Sequence, residues 1–468
     1  MSQTAVATTP KTVPVLPGPW PIGSVTYFAR NPLTFFQAFT PKYDGIFEVT
    51  SLFFKMSTDF NKMMVVSDPD MAKHILQENN RNYRKSFGYE VLKLLLGQGL
   101  VTSEGDFWRT QRRLMQPAFH RDRLAAFSKI MTDECTVLIN KWKGLPNKST
   151  VNLSHDLMEI TLAIICKAMF STDVADAVEV VNREFNVANE KLVQRMMRPL
   201  RIPLWIPTPG NLRENHAYSE LKQIVSTVIA KRRKSKERYD DLMAMLIEMK
   251  DEDTGETMSD EQIRDEVVTI FLAGHETTSV ALTWLFHCLD ENSDVEAKLL
   301  AEEKTVLNGR LPVLEDVRAL EYTRMVIDES MRMYPPVWAV GRHTLEDDVV
   351  GGYAVPKATN CLISIHSIHH NPKYWPEPEK FIPERFNKEN SKDRHRFIYF
   401  PFGGGPRLCI GNNFALMEMQ LLVPMILQHF KLSKPANFKF EIDPLITMRP
   451  KPEMLMVLTN RNSTTATN

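Results

Sequence analysis

Residues Phe402–Gly411 read FGGGPRLCIG, and the interpretation of the whole chain turns on them. Four of these residues are glycine, one is proline and one is cysteine, with apolar residues on either side. A segment so poor in side chains adds little to a core. It reads as a loop whose backbone, freed by Gly403, Gly404 and Gly405, passes close to something flat or bulky. Arg407 places a fixed positive charge two residues before Cys409, and a helical pattern begins after Gly411 with Phe414, Ala415, Leu416, Leu421 and Leu422. Cys409 therefore stands just ahead of a helix N-terminus. Unpaired N–H groups and a nearby cation both favour thiolate over thiol there. A stabilised thiolate is a nucleophile or a metal ligand. A cysteine nucleophile needs an adjacent base, and no histidine lies near in sequence, though distant ones leave that route open.

The other four cysteines, Cys135, Cys166, Cys288 and Cys361, are scattered singly and read as small buried apolar residues. An odd count without close pairs fits a reduced, cytoplasmic protein, not a disulfide scaffold or a zinc site. With 57 basic and 57 acidic residues the net charge is zero, so nothing global points to nucleic acid. The densest basic run, 231–238, reads as a solvated helix end. No secretory signal is visible, and no apolar run reaches the ~18 residues that would span a membrane; Leu157–Phe170 is broken by Glu159 and Lys167. A composition of 43% hydrophobic and 24% charged residues is that of a globular protein. One large domain over 15–462 is expected, between polar tails at 1–14 and 463–468.

The element pattern is mainly α with a small β portion. IFEVTSLFF and KMMVVS within 46–66 are strand-like, as are 360–365 and 454–458. Between residue 70 and about residue 335 helical periodicity dominates. The clearest helix starts at Ser259, where Ser259 and Gln262 form a capping-box pattern and Met258 and Ile263 a hydrophobic staple. In its middle lies AGHETT, Ala273–Thr278. A helix-interior glycine at 274 costs about 1 kcal/mol relative to alanine, and Glu276 is a carboxylate in a stretch otherwise expected to be buried. One reading has Glu276 and Thr278 facing solvent and Thr277 bonded back to a carbonyl. The other makes this a functional site, because sites are where helices break their own rules. Further on, IDESMRMYPP sets Glu329 and Arg332 on one helix face and ends the helix at Pro335 and Pro336.

Taken together, Phe402-x-x-Gly405-x-Arg407-x-Cys409-x-Gly411 resembles the haem-ligand loop of the cytochrome P450 family of haem-thiolate monooxygenases. Further elements match in the family's order: Trp108-x-x-x-Arg112, AGHETT, Glu329-x-x-Arg332 and Pro383-Glu384-Arg385-Phe386, with LPGPWPIG resembling the proline-rich N-terminal segment. The resemblance implies the cytochrome P450 fold, a single large domain with haem between a long central helix and the helix after Cys409. It implies non-covalent haem b (iron protoporphyrin IX) with Cys409 as thiolate ligand to iron, and Phe402, Gly405 and Gly411 in the ligand loop. Arg407, Arg112, Trp108 and Arg342 are implied as partners of the haem propionates. Ala273 is implied to lie against the haem, at the position where some fatty-acid-hydroxylating relatives carry a glutamate bonded to it. Gly274 is implied to let oxygen approach, Thr277 to hold it by a hydrogen bond, and Glu276 to bring in protons. Glu329, Arg332 and Arg385 are implied to form a structural network.

The activity implied is insertion of one atom of dioxygen into an apolar small-molecule substrate such as a fatty acid, terpene or steroid. Val101, Ala339 and Val340 are candidate pocket lining or simple core. No flavin or iron–sulfur module is evident, so electrons are expected from a separate ferredoxin or flavodoxin with its reductase. Arg109, Arg113, Lys392 and Arg394 are candidate docking charges. Two alternatives stay open: a peroxide-driven or isomerising haem-thiolate enzyme, and a non-catalytic haem-binding sensor. No nucleic acid and no transmembrane anchor are expected.

Overall fold

The apolar pattern that begins at Ser259 forms one helix, Asp260–Glu291, of 32 residues, ~48 Å long at the usual rise. Its start is set by the residues the sequence suggests. Gln262 N–H donates to Ser259 Oγ (3.2 Å) and Ser259 N–H donates to Gln262 Oε1 (2.7 Å). Met258 and Ile263 are both buried. The computed structural model describes residues 9–51, 62–119, 121–170, 183–184, 187–192, 194–195, 202–235, 237, 239, 241–250 and 255–461. They form two compact units, each assembled from pieces far apart in sequence. One holds the described residues up to Gly88, Trp338–Pro378 and Arg394–Cys409; the other holds Tyr89–Val337, Glu379–Asp393 and the chain from Ile410.

The second unit is built on the central helix, which packs against Leu153–Phe170, Pro209–Lys234, Glu321–Met333 and Asn412–His429. Arg121–Lys143 packs on Leu153–Phe170 and Asn412–His429 in turn. Two small sheets close this unit: Phe430–Ser433, Leu455–Asn460 and Thr150–Asn152 in that order, and the pair Glu441–Pro444 with Met448–Lys451. The basic run is not wholly solvated. Lys231, Arg233 and Lys234 are exposed, but Arg232 is buried and donates to Asp241 Oδ2 at 2.8 Å; residues 236 and 238 lie outside the described residues.

The first unit is organised by a six-stranded sheet in the order Val15–Leu16, Ile46–Val49, Lys62–Val66, Thr359–Ser364, Ala339–Thr344 and Tyr83–Lys85. Its apolar strands are explained by burial on both faces. Ile46, Met64, Val66 and Ile363 enter one cluster, while Phe47, Val49, Met63 and Val65 enter another. The strand expected to run on past 49 lies partly outside the described residues. Part of the stretch expected as an N-terminal tail over 1–14 is built into the fold. Lys11 N–H donates to the Gly352 carbonyl (2.8 Å), Ala354 N–H donates to the Lys11 carbonyl (2.9 Å), and Val13 is buried. Residues 1–8 and 462–468 lie outside the described residues.

Candidate functional site

In the first unit the cysteine loop is folded on itself. Gly403 N–H donates to the Phe400 carbonyl (2.9 Å), Leu408 N–H to Gly405 (3.1 Å) and Cys409 N–H to Phe402 (3.0 Å). Gly403 and Gly405 have φ of +73° and +69°, a region that side chains rarely enter. The glycines were expected to make room for a bound group, but two of them make room for the chain itself. A Cβ on Gly404 would stand 2.5 Å from the buried Phe397 ring, and one on Gly405 would stand 2.0 Å from the Leu76 carbonyl oxygen. Gly405 is thus seated on the π-helical turn His74–Glu78. At Gly403 a Cβ would meet nothing within 4 Å. The loop ends on Cys409, which is exposed, whereas the other four cysteines are buried. Burial pushes the Cys166 and Cys361 thiols up to about 12, and Cys135 and Cys288 higher still, so they stay protonated and inert. The helix Asn412–His429 begins just past Gly411, its N-cap. Phe402 and Arg407 are half-buried beside the cysteine in the chain.

Arg342 lies on the strand Ala339–Thr344, paired with Cys361 and Lys85 on the flanking strands. Its residue is 8% exposed, its Nη1 donates to the Gly341 carbonyl (2.9 Å), and among the described residues no carboxylate pairs with it. A buried guanidinium without an anion is costly, so this is chemistry suited to a carboxylate from a bound group. Ala339 and Val340 do not form one pocket wall. They pack on opposite faces of the sheet, Ala339 with Phe35 and Phe36, Val340 with the cluster of Ile46 and Met64.

In the second unit the central helix carries the decisive feature. From Asp265 to Leu289 every residue is buried except Ala273, Gly274 and Thr277. Residues 273 and 277 are one turn apart and 274 adjoins them, so the exposed positions form one face. Thr277 Oγ1 donates to the Ala273 carbonyl (2.7 Å) and Thr278 Oγ1 to the Gly274 carbonyl (3.1 Å). Neither Thr278 nor Glu276 faces solvent. A Cβ on Gly274 would stand 3.2 Å from Ile165 Cδ1, so this glycine serves close packing of the helix Leu153–Phe170. That packing is a use the sequence reading did not foresee.

Glu276 is buried and saturated. Its Oε2 accepts from Asn189 Nδ2 (2.8 Å), and its Oε1 accepts from Arg449 Nε (3.0 Å) and the Thr447 hydroxyl, with Arg449 forming an ion pair. Those three partners come from distant segments and left no local signal in the sequence. Beside it, burial lowers the pKa of His275 and outweighs the opposing effect of its Nδ1–H donating to the Phe271 carbonyl (2.6 Å). Glu418, wholly buried beside Thr278, has its carboxyl pushed well above the usual range by that burial.

The structure brings Glu329, Arg332 and Arg385 together. Arg332 donates through Nε to Glu329 Oε2 (2.7 Å) and through Nη2 to Oε1 (3.0 Å), and Arg385 Nε reaches Oε1 at 3.3 Å. Ile382 N–H adds a fourth bond at 2.9 Å. On the helix Gly105–Met115, Trp108 is buried and Arg112 half-buried one turn on, both engaged with neighbours. Of the basic docking candidates, Arg109, Arg113 and Lys392 are exposed, Arg109 being paired with Asp106 (2.6 Å), and Arg394 is half-buried and stacks on Trp375 (4.7 Å).

The cytochrome P450 family model matches residues 14–457, and the chain belongs to the cytochrome P450 family. It is similar to cyclooctat-9-en-7-ol 5-monooxygenase of Streptomyces melanosporofaciens, 34% identical over 90% of each chain. It is equally similar to cyclooctatin synthase of the same organism, 34% identical over 94% of this chain and 92% of that one. Human cytochrome P450 4V2 is 31% identical over 83% of this chain and 79% of its own. The crystal structure of the cytochrome P450DA heme domain superposes with a TM-score of 0.87 at 26% identity, covering 97% of this chain and 99% of that one. The protein is thus a cytochrome P450 monooxygenase of a haem-dependent family, with the cytochrome P450 fold. No helix among the described residues is long and apolar enough to cross a membrane.

Proposed function

We propose that this monooxygenase binds haem b non-covalently through Cys409 and hydroxylates a terpene-like apolar alcohol or hydrocarbon, using electrons from a separate ferredoxin or flavodoxin. The observation that carries the reading is the open face of Ala273, Gly274 and Thr277 on an otherwise buried helix. Bound haem supplies the reducible iron that activates dioxygen, and thiolate ligation favours O–O cleavage. The chain's part is to hold and protonate. Cys409, the exposed cysteine of the loop, is the thiolate ligand. Arg342, Arg407, Arg112 and Trp108 hold the propionates, a role supported for Arg342 by the fact that no carboxylate pairs with it among the described residues. Ala273 offers no carboxylate for a covalent bond to haem.

The Thr277 hydroxyl donates a hydrogen bond to the Ala273 carbonyl, which leaves its oxygen lone pairs to accept from a proton-bearing group on the open face. Glu276 is the acidic half of the pair. Its clamp to Asn189, Thr447 and Arg449 makes it an anchor of the helix, and proton delivery through it requires that clamp to open. Two relatives named for cyclooctatin chemistry favour a terpene over a fatty acid or steroid. The test is a titration of the haem-loaded chain with a terpene alcohol, a fatty acid and a steroid, following the haem absorption band. The terpene alcohol is expected to shift the band at the lowest concentration. A stronger response to the fatty acid would replace this substrate class.

A further inference from the structure

Asp265, Thr269, Ala273 and Thr277 succeed one another at four-residue spacing on the central helix and form one stripe along it. The second half of that stripe is the open face. The first half is covered by a glycine loop. A Cβ on Gly97 would stand 2.0 Å from Asp265 Oδ2, and one on Gly99 would stand 2.1 Å from Thr269 Oγ1, so bare backbone lies on the helix here. Gly97 also has φ +54°.

Two neighbouring carboxylates grip this loop by its main chain. Gln98 N–H donates to Asp265 Oδ2 (2.8 Å) and Leu100 N–H donates to Glu266 Oε2 (2.9 Å). The loop's carbonyls are tied as well. Thr102 Oγ1 donates to the Gly97 and Gly99 carbonyls (2.8 and 3.0 Å), and Gln111 Nε2 donates to that of Gln98 (2.9 Å). Asp265 and Glu266 are 4% and 0% exposed. Arg264 pairs with Asp265 through Oδ1 (2.9 Å), away from the oxygen that holds the loop, yet burying adjacent carboxylates is still expensive where an apolar contact would serve to pack a loop. What carboxylates add is direction: a bond to an N–H fixes the backbone whatever side chains the loop carries. Leu100, buried, and Val101, half-buried, come immediately after the gripped residues.

We propose that Asp265 and Glu266 are positioning residues that lock the 97–101 loop at the rim of the open face, so that the lock limits the size of apolar ligand that reaches Ala273 and Thr277. The second clause rests on reading that face as the ligand side; the first does not.

The experiment takes the haem-loaded full chain with Glu266→Ala and Glu266→Gln. Native-state hydrogen exchange at the Leu100 amide reads the lock itself. Losing a bond to a charged acceptor should speed that exchange about ten- to a hundredfold in Glu266→Ala, while Glu266→Gln, which keeps an acceptor, stays within a few-fold of wild type. Association of imidazole and of the bulkier phenylimidazole, followed by the haem band, reads access. Glu266→Ala should bind phenylimidazole faster relative to imidazole than wild type does. Should Glu266→Ala fail to fold, Gly99→Ala lifts the loop off Thr269 with both carboxylates intact and should give the same two changes. Unchanged exchange at Leu100 overturns the lock. Faster exchange with an unchanged ratio of azole rates overturns its placement at the ligand rim, and leaves the reading of the open face to the substrate titration.

Discussion

Replacing Glu329 by glutamine tests the structural heart of the second unit. Glu329 and Arg332 are both 0% exposed, and the carboxylate accepts four hydrogen bonds: two from Arg332, one from Arg385 and one from the Ile382 amide. Every one of the four donors points at an oxygen. A glutamine side chain turns one of those oxygens into an NH2 group, which then meets an N–H in either orientation. It also leaves the Arg332 guanidinium buried without its anion. Removing one partner of a buried pair costs ~3–5 kcal/mol, against a total stability of ~5–15 kcal/mol for a protein domain. Glu329→Gln should therefore lose a large share of the stability of the haem-loaded chain, read as a shifted urea midpoint by circular dichroism and by the haem band. Replacing both partners, Glu329→Leu with Arg332→Met, removes the uncompensated charge and should recover part of the loss. A single variant within about 1 kcal/mol of wild type, or a double variant no better than the single one, would refute the reasoning.

Cys409→Ser should abolish the thiolate Soret band of the reduced, carbon-monoxide-bound form; a variant that keeps the wild-type band removes Cys409 as the ligand. Thr277→Ala should consume reductant at close to the wild-type rate while product falls and hydrogen peroxide is released, measured as product per reductant consumed. An unchanged ratio would make Thr277 a back-bonded helix residue only. Burial raises the Glu303 carboxyl from the ordinary 4.5 to about 7, so between those values the folded chain holds a proton that the unfolded chain has lost. Its contribution to stability therefore falls as pH rises through that window, and Glu303→Gln should flatten the dependence of Tm on pH there. A variant with the wild-type slope would assign that slope to other groups.

What is local or strictly ordered along the chain could be read from the residues alone. The capping box at Ser259, the helix stop after Tyr334 and the start of a helix past Gly411 depend on residues a few positions apart, and such contacts are written in neighbouring side chains. The family was legible because its motifs keep their order along the chain. Tertiary structure decided where side chains point. Glu276 and Thr277 are adjacent letters, yet one is clamped by Asn189, Thr447 and Arg449 and the other faces outward, because helix geometry turns successive residues about 100° apart. The glycines of FGGGPRLCIG looked like room for a ligand, but Gly404 and Gly405 make room for Phe397 and the Leu76 carbonyl, brought there from other parts of the chain. The grip of Asp265 and Glu266 on the 97–101 loop joins residues more than 160 positions apart. No local pattern encodes such a contact, because a hydrogen bond to a backbone N–H leaves no mark on the identity of the residue that donates it.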